Sequence, residues 1–137
     1  MKTNRKASWH GMNWIRQSTR LAIYLRDNLC CQYCGTSIED DSVQLTLDHI
    51  VPFNSRRVNN SPMNLITCCH ACNCSRGKRN YAVFAKMLAK KHDVSALAII
   101  KRVVIQSELD LTPFRKAALE MIAKRGSTKA VLDKLTS

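Results

Sequence analysis

The chain has 137 residues, with 22 Lys and Arg against 10 Asp and Glu and a formal net charge of +12. That length suits one compact domain with a small extension, whose core is small enough for a structural metal to matter. The charge favours a polyanionic partner, nucleic acid before an anionic membrane. No apolar run approaches a membrane span and no secretory signal follows the basic N-terminus, so a cytoplasmic protein is expected.

In chain order, residues 1–12 are polar and basic and read as a flexible arm. Residues 13–28 predict a helix: Ile15, Leu21, Ala22, Leu25 and Leu29 recur at roughly helical spacing, with Arg16, Arg20 and Arg26 between them. Trp14 is expected to pack on it. Residues 30–35 form a knuckle-like turn and 36–42 a loop. Residues 43–51 begin with apolar-polar alternation, are rich in β-branched residues and predict a strand, which Pro52 ends or bends. Residues 53–64 read as an ordered loop, and Leu65-Ile66-Thr67 as a second strand or the lead-in to a second knuckle.

A helix is expected from near Cys72. Tyr81, Phe84, Ala85 and Leu88 make one apolar face, with Arg79, Lys86 and Lys90 off the stripe. Leu97, Ile100, Val103 and Val104 predict a short apolar helix with Lys101 and Arg102 on a solvated face. Thr112-Pro113 supplies an N-cap and first position, and Gly126 a stop, for a helix over 113–125. The expected organisation is a basic arm at 1–12, a core domain at 13–92 and a helical extension at 93–137. The extension is too apolar for free helices, so it should pack on the core, on a second copy as a homodimer, or in a larger complex.

The seven cysteines are clustered. Cys31-Gln32-Tyr33-Cys34 and Cys69-His70-Ala71-Cys72 are two C-x-x-C pairs, and two such turns can complete a tetrahedron of thiolates around one structural Zn²⁺. The alternatives are cysteines buried as small hydrophobes, or a redox pair. Cys30, Cys68 and Cys74 are spare. Cys30 with Cys34, or Cys68 with Cys72, would give a wider spacing, so sequence alone leaves the register open.

Between and just after the knuckles stand Leu47-Asp48-His49-Ile50-Val51-Pro52, then Asn64-Leu65, then Asn73-Cys74-Ser75-Arg76-Gly77-Lys78. Phosphodiester hydrolysis needs a deprotonated water in line with phosphorus, and positive charge where the leaving oxygen becomes anionic. Histidine titrates near neutrality, so His49 can take the proton. Asp48 offers a carboxylate and Asn73 a carboxamide oxygen, both hard ligands. Adjacent strand residues point to opposite sides, so Asp48 and His49 can serve one site only if the strand bends there.

The order of these motifs over roughly residues 24–80 resembles the HNH, or ββα-metal, endonuclease family, whose small free-standing members are common in phages and bacteria. The end from Asn73 to Lys78 is also similar to the HNH domain of CRISPR effector nucleases. The resemblance implies an α+β fold: a small ββα-metal core with the four-cysteine zinc knuckle pair, flanked by an N-terminal helix and a C-terminal helical extension. It implies His49 as general base, Asp48 and Asn73 as ligands of one Mg²⁺ or Mn²⁺, and Asn64 as a brace that orients the base. Arg76 and Lys78 would meet phosphates of double-stranded DNA, and Arg56, Arg57 and Arg79 are further candidates for DNA contact. Two departures stand out. The third letter of the motif is Asn73 rather than the commoner His, and Gly77 stands where some members carry another metal-binding His. A glycine within a helix costs about 1 kcal/mol, so it would serve to let backbone approach DNA. The loop Ser55-Arg56-Arg57-Val58-Asn59-Asn60 also replaces the glycines of many members. The competing functions are a non-catalytic zinc-ribbon nucleic-acid binder, an RNA-directed nuclease and an adaptor docked by its tail. A pure binder has no use for an acid, a base and an amide at Asp48, His49 and Asn73.

Overall fold

The computed structural model describes residues 14–40, 43–51 and 60–136. The expected arm at 1–12, Pro52 and the pair Arg56 and Arg57 lie outside the described residues. The elements are α1 (Gln17–Arg26), β1 (Leu45–His49), a 3₁₀ turn (Pro62–Asn64), β2 (Leu65–Cys69), α2 (His70–Arg76), α3 (Tyr81–His92), α4 (Ala96–Ser107), α5 (Thr112–Arg125) and α6 (Thr128–Leu135). No described helix is long and apolar enough to cross a membrane.

The architecture is mixed helix and small sheet. β1 and β2 pair antiparallel, with Leu45 opposite Cys69, Asp48 opposite Ile66 and His49 opposite Leu65. Helices cover both faces of this ribbon. On one side Leu47 and Leu65 join Leu21, Ala22 and Tyr24 of α1, Leu111, Ala118 of α5 and Val131 of α6. On the other, Ile66 and Cys68 join Tyr33, Phe84, Leu88, Ile99 and Val103. β2 is buried along its whole length, which accounts for its apolar run without alternation. Burying side chains on both faces of so small a sheet is what lets a short chain assemble two cores.

Two helices stand where one was expected after Cys72. α2 starts at His70, capped by the Cys69 sulfur, and ends at Gly77, whose φ of 55° and ψ of −125° suit a residue without a Cβ. Gly77 is therefore the stop of α2, not a glycine tolerated inside a helix. Asn80 then caps α3 by accepting from the Ala82 N–H. α5 ends at Gly126 as expected, with φ 99°, but Leu111 rather than Thr112 occupies its N-cap. α6, capped by Ser127, was not anticipated; it lies against α1 and α5 through Val131 and Leu132.

The tail is bound to the core by polar as well as apolar contacts. Arg102 is exposed, as expected, and its guanidinium also donates to the Gln32 and Tyr33 carbonyls at 2.8 and 3.0 Å. Gln106 donates to the Arg26 carbonyl at 2.8 Å. α4 thus braces the first knuckle, and Ile99 and Val103 bury in the same cluster as the cysteines.

Candidate active site and metal centre

The two knuckles meet. The Sγ atoms of Cys31, Cys34, Cys69 and Cys72 all lie within 4.8 Å of one another, close enough to share one ion. This resolves the register in favour of the two C-x-x-C pairs. The two turns are alike: the N–H of Cys34 donates to the Cys31 sulfur and the N–H of Cys72 to the Cys69 sulfur, both at 3.4 Å. Such bonds fit a charged sulfur. Four sulfurs this close cannot all ionise unless a cation is among them. Cys34, Cys68 and Cys72 turn their S–H groups on Cys31 and hold its thiol far below the usual range. Cys72 is pushed up by its contacts with Cys31 and Cys34, and burial raises Cys69 to about 11. Cys30 and Cys74 stand outside the cluster, Cys74 against His70 at 3.5 Å, and Cys68 is buried behind it.

The second centre lies where β1 ends beside α2. Strand alternation sends Thr46 and Asp48 toward α2, and Leu45 and Leu47 toward α1. Asp48 is nearly buried, at 7% exposure. Its Oδ2 accepts from the Tyr33 hydroxyl at 3.1 Å and from Arg76 Nη1 in a very short ion pair. Among the described residues no hydrogen bond takes Oδ1. Burial pushes the Asp48 carboxyl above the usual carboxylate range, while Arg76 and Tyr33 pull it back. Burial, then the neighbouring Asp48 charge, raises the Tyr33 phenol far above its ordinary value, so it acts as a donor.

Asn73 stands in mid-helix on the face of α2 turned to β1. Its Nδ2 donates to Thr46 Oγ1 at 2.9 Å and to the Leu47 carbonyl at 3.4 Å. The Thr46 hydroxyl itself donates to the Cys68 carbonyl, so it is an acceptor toward Asn73. Both partners demand a donor, which fixes the amide with its oxygen turned away from the strand. His49 lies on the α1 side: its Nε2 is 2.7 Å from Asn60 Oδ1 and its ring is 5.1 Å from that of Trp14. The carboxamide oxygen accepts only, so Nε2 is the ring nitrogen that donates to it. Arg20 in turn lies over the Trp14 ring at 5.6 Å. An open cleft of about 280 Å³ is lined by Leu47, Asp48, His49, Asn73, Arg76, Gly77 and Lys78.

The structure thus brings Asp48, His49, Asn73 and Lys78 to one cleft. Asn64 is placed behind it: its Oδ1 accepts from the Val51 N–H at 2.9 Å and its Nδ2 donates to the Val51 carbonyl at 3.3 Å, bracing the backbone after β1. The residue that touches the His49 ring is Asn60, which sequence reasoning passed over as loop; a lone Asn in a polar loop carries no signal for that role. Arg76 departs from expectation. It is 1% exposed, and its guanidinium is spent on Asp48, on the His49 and Ile50 carbonyls at 2.7 and 2.8 Å, and on the Arg79 carbonyl at 2.8 Å. A phosphate outside the protein does not reach it. Arg79 folds back onto the C-terminal carbonyls of α2, donating to Ser75 at 2.8 Å. Lys78 is exposed at the cleft.

Residues 31–84 match the family model described as HNH endonuclease. The chain is also similar to the CRISPR-associated endonuclease Cas9 of Corynebacterium diphtheriae, 39% identical over 73 residues, or 53% of this chain and 6% of that protein. It is 40% identical to the Cas9 of Actinomyces naeslundii over 62 residues, or 45% of this chain and 5% of that protein. The likeness therefore spans one small part of these relatives. No solved structure matches the chain.

Proposed function

We propose that this chain, which carries an HNH endonuclease domain over residues 31–84, hydrolyses DNA phosphodiester bonds with one Mg²⁺ or Mn²⁺ held by Asp48 and Asn73. A Zn²⁺ in the four-cysteine cluster serves as structural pin. The observation that carries the reading is the orientation of Asn73. Its amide nitrogen is tied to β1, which leaves its carboxamide oxygen free beside a cleft that Asp48 and His49 also line. Two hard oxygens beside a base suit Mg²⁺ or Mn²⁺ better than a softer ion.

When bound, the divalent ion supplies the positive charge that offsets the developing oxyanion of the leaving group. The protein's own residues do the rest. Asn60 holds His49 Nε2–H, so Nδ1 is the atom that takes a proton from the attacking water. The Trp14 ring lies tilted against the His49 ring at 5.1 Å and limits its rotation. Lys78 at the rim meets a phosphate, with Arg56 and Arg57 as further contacts on the polyanion. The net charge of +12 draws DNA in without reading its sequence, so affinity falls steeply with salt. The products are 5′-phosphate and 3′-hydroxyl ends. The test is plasmid cleavage by the zinc-loaded protein in Mg²⁺, Mn²⁺ or EDTA: cleavage in either ion and none in the chelator supports the reading. DNA binding without cleavage in any of them points instead to the zinc-ribbon binder.

A further inference from the structure

We propose that Tyr33 and Arg76 are positioning residues that clamp Oδ2 of Asp48 and so leave Oδ1 as the carboxylate oxygen offered to a divalent cation. The inference rests on the nuclease reading and adds to it a path from the zinc knuckle to the cleft. Tyr33 belongs to the knuckle itself, between Cys31 and Cys34. Its ring sits edge-on to Phe84 with centroids 5.1 Å apart, and its carbonyl accepts from Arg102. The phenol therefore has little freedom, and its hydroxyl reaches Asp48 Oδ2 at 3.1 Å while accepting from Arg76 Nη1 at 3.4 Å.

Arg76 comes from the other direction, at the end of the helix that carries Asn73. Its planar fork takes the Asp48 side chain and the carbonyls of His49 and Ile50, three consecutive residues. That grip fixes the end of β1 against α2, and so fixes Asp48 relative to Asn73. Both bonds to Asp48 fall on the same oxygen, so the carboxylate cannot turn over without breaking both. A lysine carries the same charge but lacks a fork that spans these acceptors.

Partners of this kind typically change metal affinity by about 10–100-fold when removed. Two variants of the full, zinc-loaded chain test the idea: Tyr33→Phe and Arg76→Lys. The first readout is Mn²⁺ binding to the protein without DNA, by calorimetry. The second is the Mg²⁺ concentration for half-maximal plasmid cleavage. Tyr33→Phe should keep its zinc and its melting temperature, yet bind Mn²⁺ about tenfold more weakly. Its Mg²⁺ requirement should shift in parallel, and cleavage at saturating Mg²⁺ should stay near the unmodified level. Arg76→Lys should shift both readouts further in the same direction. Variants that stay folded and bind Mn²⁺ like the unmodified protein overturn the clamp while leaving the nuclease reading intact. If Tyr33→Phe does not fold, Arg76→Lys decides by the same criterion. An unmodified chain that neither binds Mn²⁺ nor cleaves DNA takes both readings down together.

Discussion

Among the described residues two buried arginine–aspartate pairs stand out, built from the same side chains and differently satisfied. In the first, Arg26 and Asp27 are 2% and 0% exposed. Both carboxylate oxygens are consumed: Oδ1 by Arg26 Nε at 2.8 Å, Oδ2 by Arg26 Nη2 at 3.0 Å and the Thr67 N–H at 2.8 Å. Arg26 also donates to the Leu65 and Pro62 carbonyls, so the pair joins α1 to the start of β2. In the second pair Asp48 is held by one oxygen only and opens on the cleft. A buried ion pair repays its desolvation only when its remaining polar atoms are satisfied. The sealed pair meets that condition within the protein. The open pair leaves Oδ1 without a hydrogen bond among the described residues, and that difference is what the proposed functional role of Asp48 rests on.

The widest way to break the contrast is through the proposed zinc, since the cysteine cluster adjoins Tyr33 of the open pair and the end of β2, the strand that the sealed pair holds. Cys34→Ser, or a strong chelator, should abolish cooperative melting, because structural zinc supplies folding energy on the order of 10 kcal/mol. Circular dichroism with metal analysis checks this, and a metal-free chain that melts as the loaded one does would remove zinc from the account. Asp27→Ala and Asp48→Ala come next. Stranding Arg26 in the sealed site should cost about 3–5 kcal/mol. Asp48→Ala should cost clearly less, because water can enter from the cleft and Arg76 keeps three carbonyl partners, on His49, Ile50 and Arg79. Urea denaturation of the two variants measures the difference, and equal losses would erase the distinction between the pairs.

His49→Ala sharpens the functional side. Cleavage should fall by on the order of 10²-fold or more, with DNA binding, Mn²⁺ binding and melting temperature retained. Near-normal cleavage by a clean preparation would end the assignment of His49 as base. The smallest effect is expected at Arg102, whose two hydrogen bonds brace the knuckle from a partly solvated position. Arg102→Ala should cost about 1 kcal/mol of stability. An unchanged melting curve would show that these bonds brace nothing.

Much of the site was legible because its signals are local. A C-x-x-C turn puts two sulfurs on one side of a knuckle by backbone geometry alone, and the same geometry recurs at Cys31/Cys34 and Cys69/Cys72. The adjacency of Asp48 and His49 and the placing of Asn73 just after the second knuckle likewise survive into the cleft. The apolar stripe of α3 and the Gly126 stop were readable for similar reasons. Gly77 was not: a glycine inside a helix and a glycine that ends one look alike until the chain after it is seen to turn.

What the sequence by itself determined is the resemblance to HNH endonucleases, the two C-x-x-C motifs, the carboxylate, imidazole and amide residues that line the cleft, and an α+β core flanked by helices. What only the tertiary structure decided is the partner of each long polar side chain. Arg76 turned inward to Asp48, Arg102 reached the knuckle carbonyls, and Asn60 rather than Asn64 met the His49 ring. An arginine or asparagine takes whichever acceptors packing leaves within reach, and the carbonyl ends of β1, α2 and the first knuckle converge only once both cores have closed. Spacing along the chain encodes what one turn can hold together; it does not encode which orphan carbonyl will lie 70 residues away at 2.8 Å, as Gln32 does from Arg102.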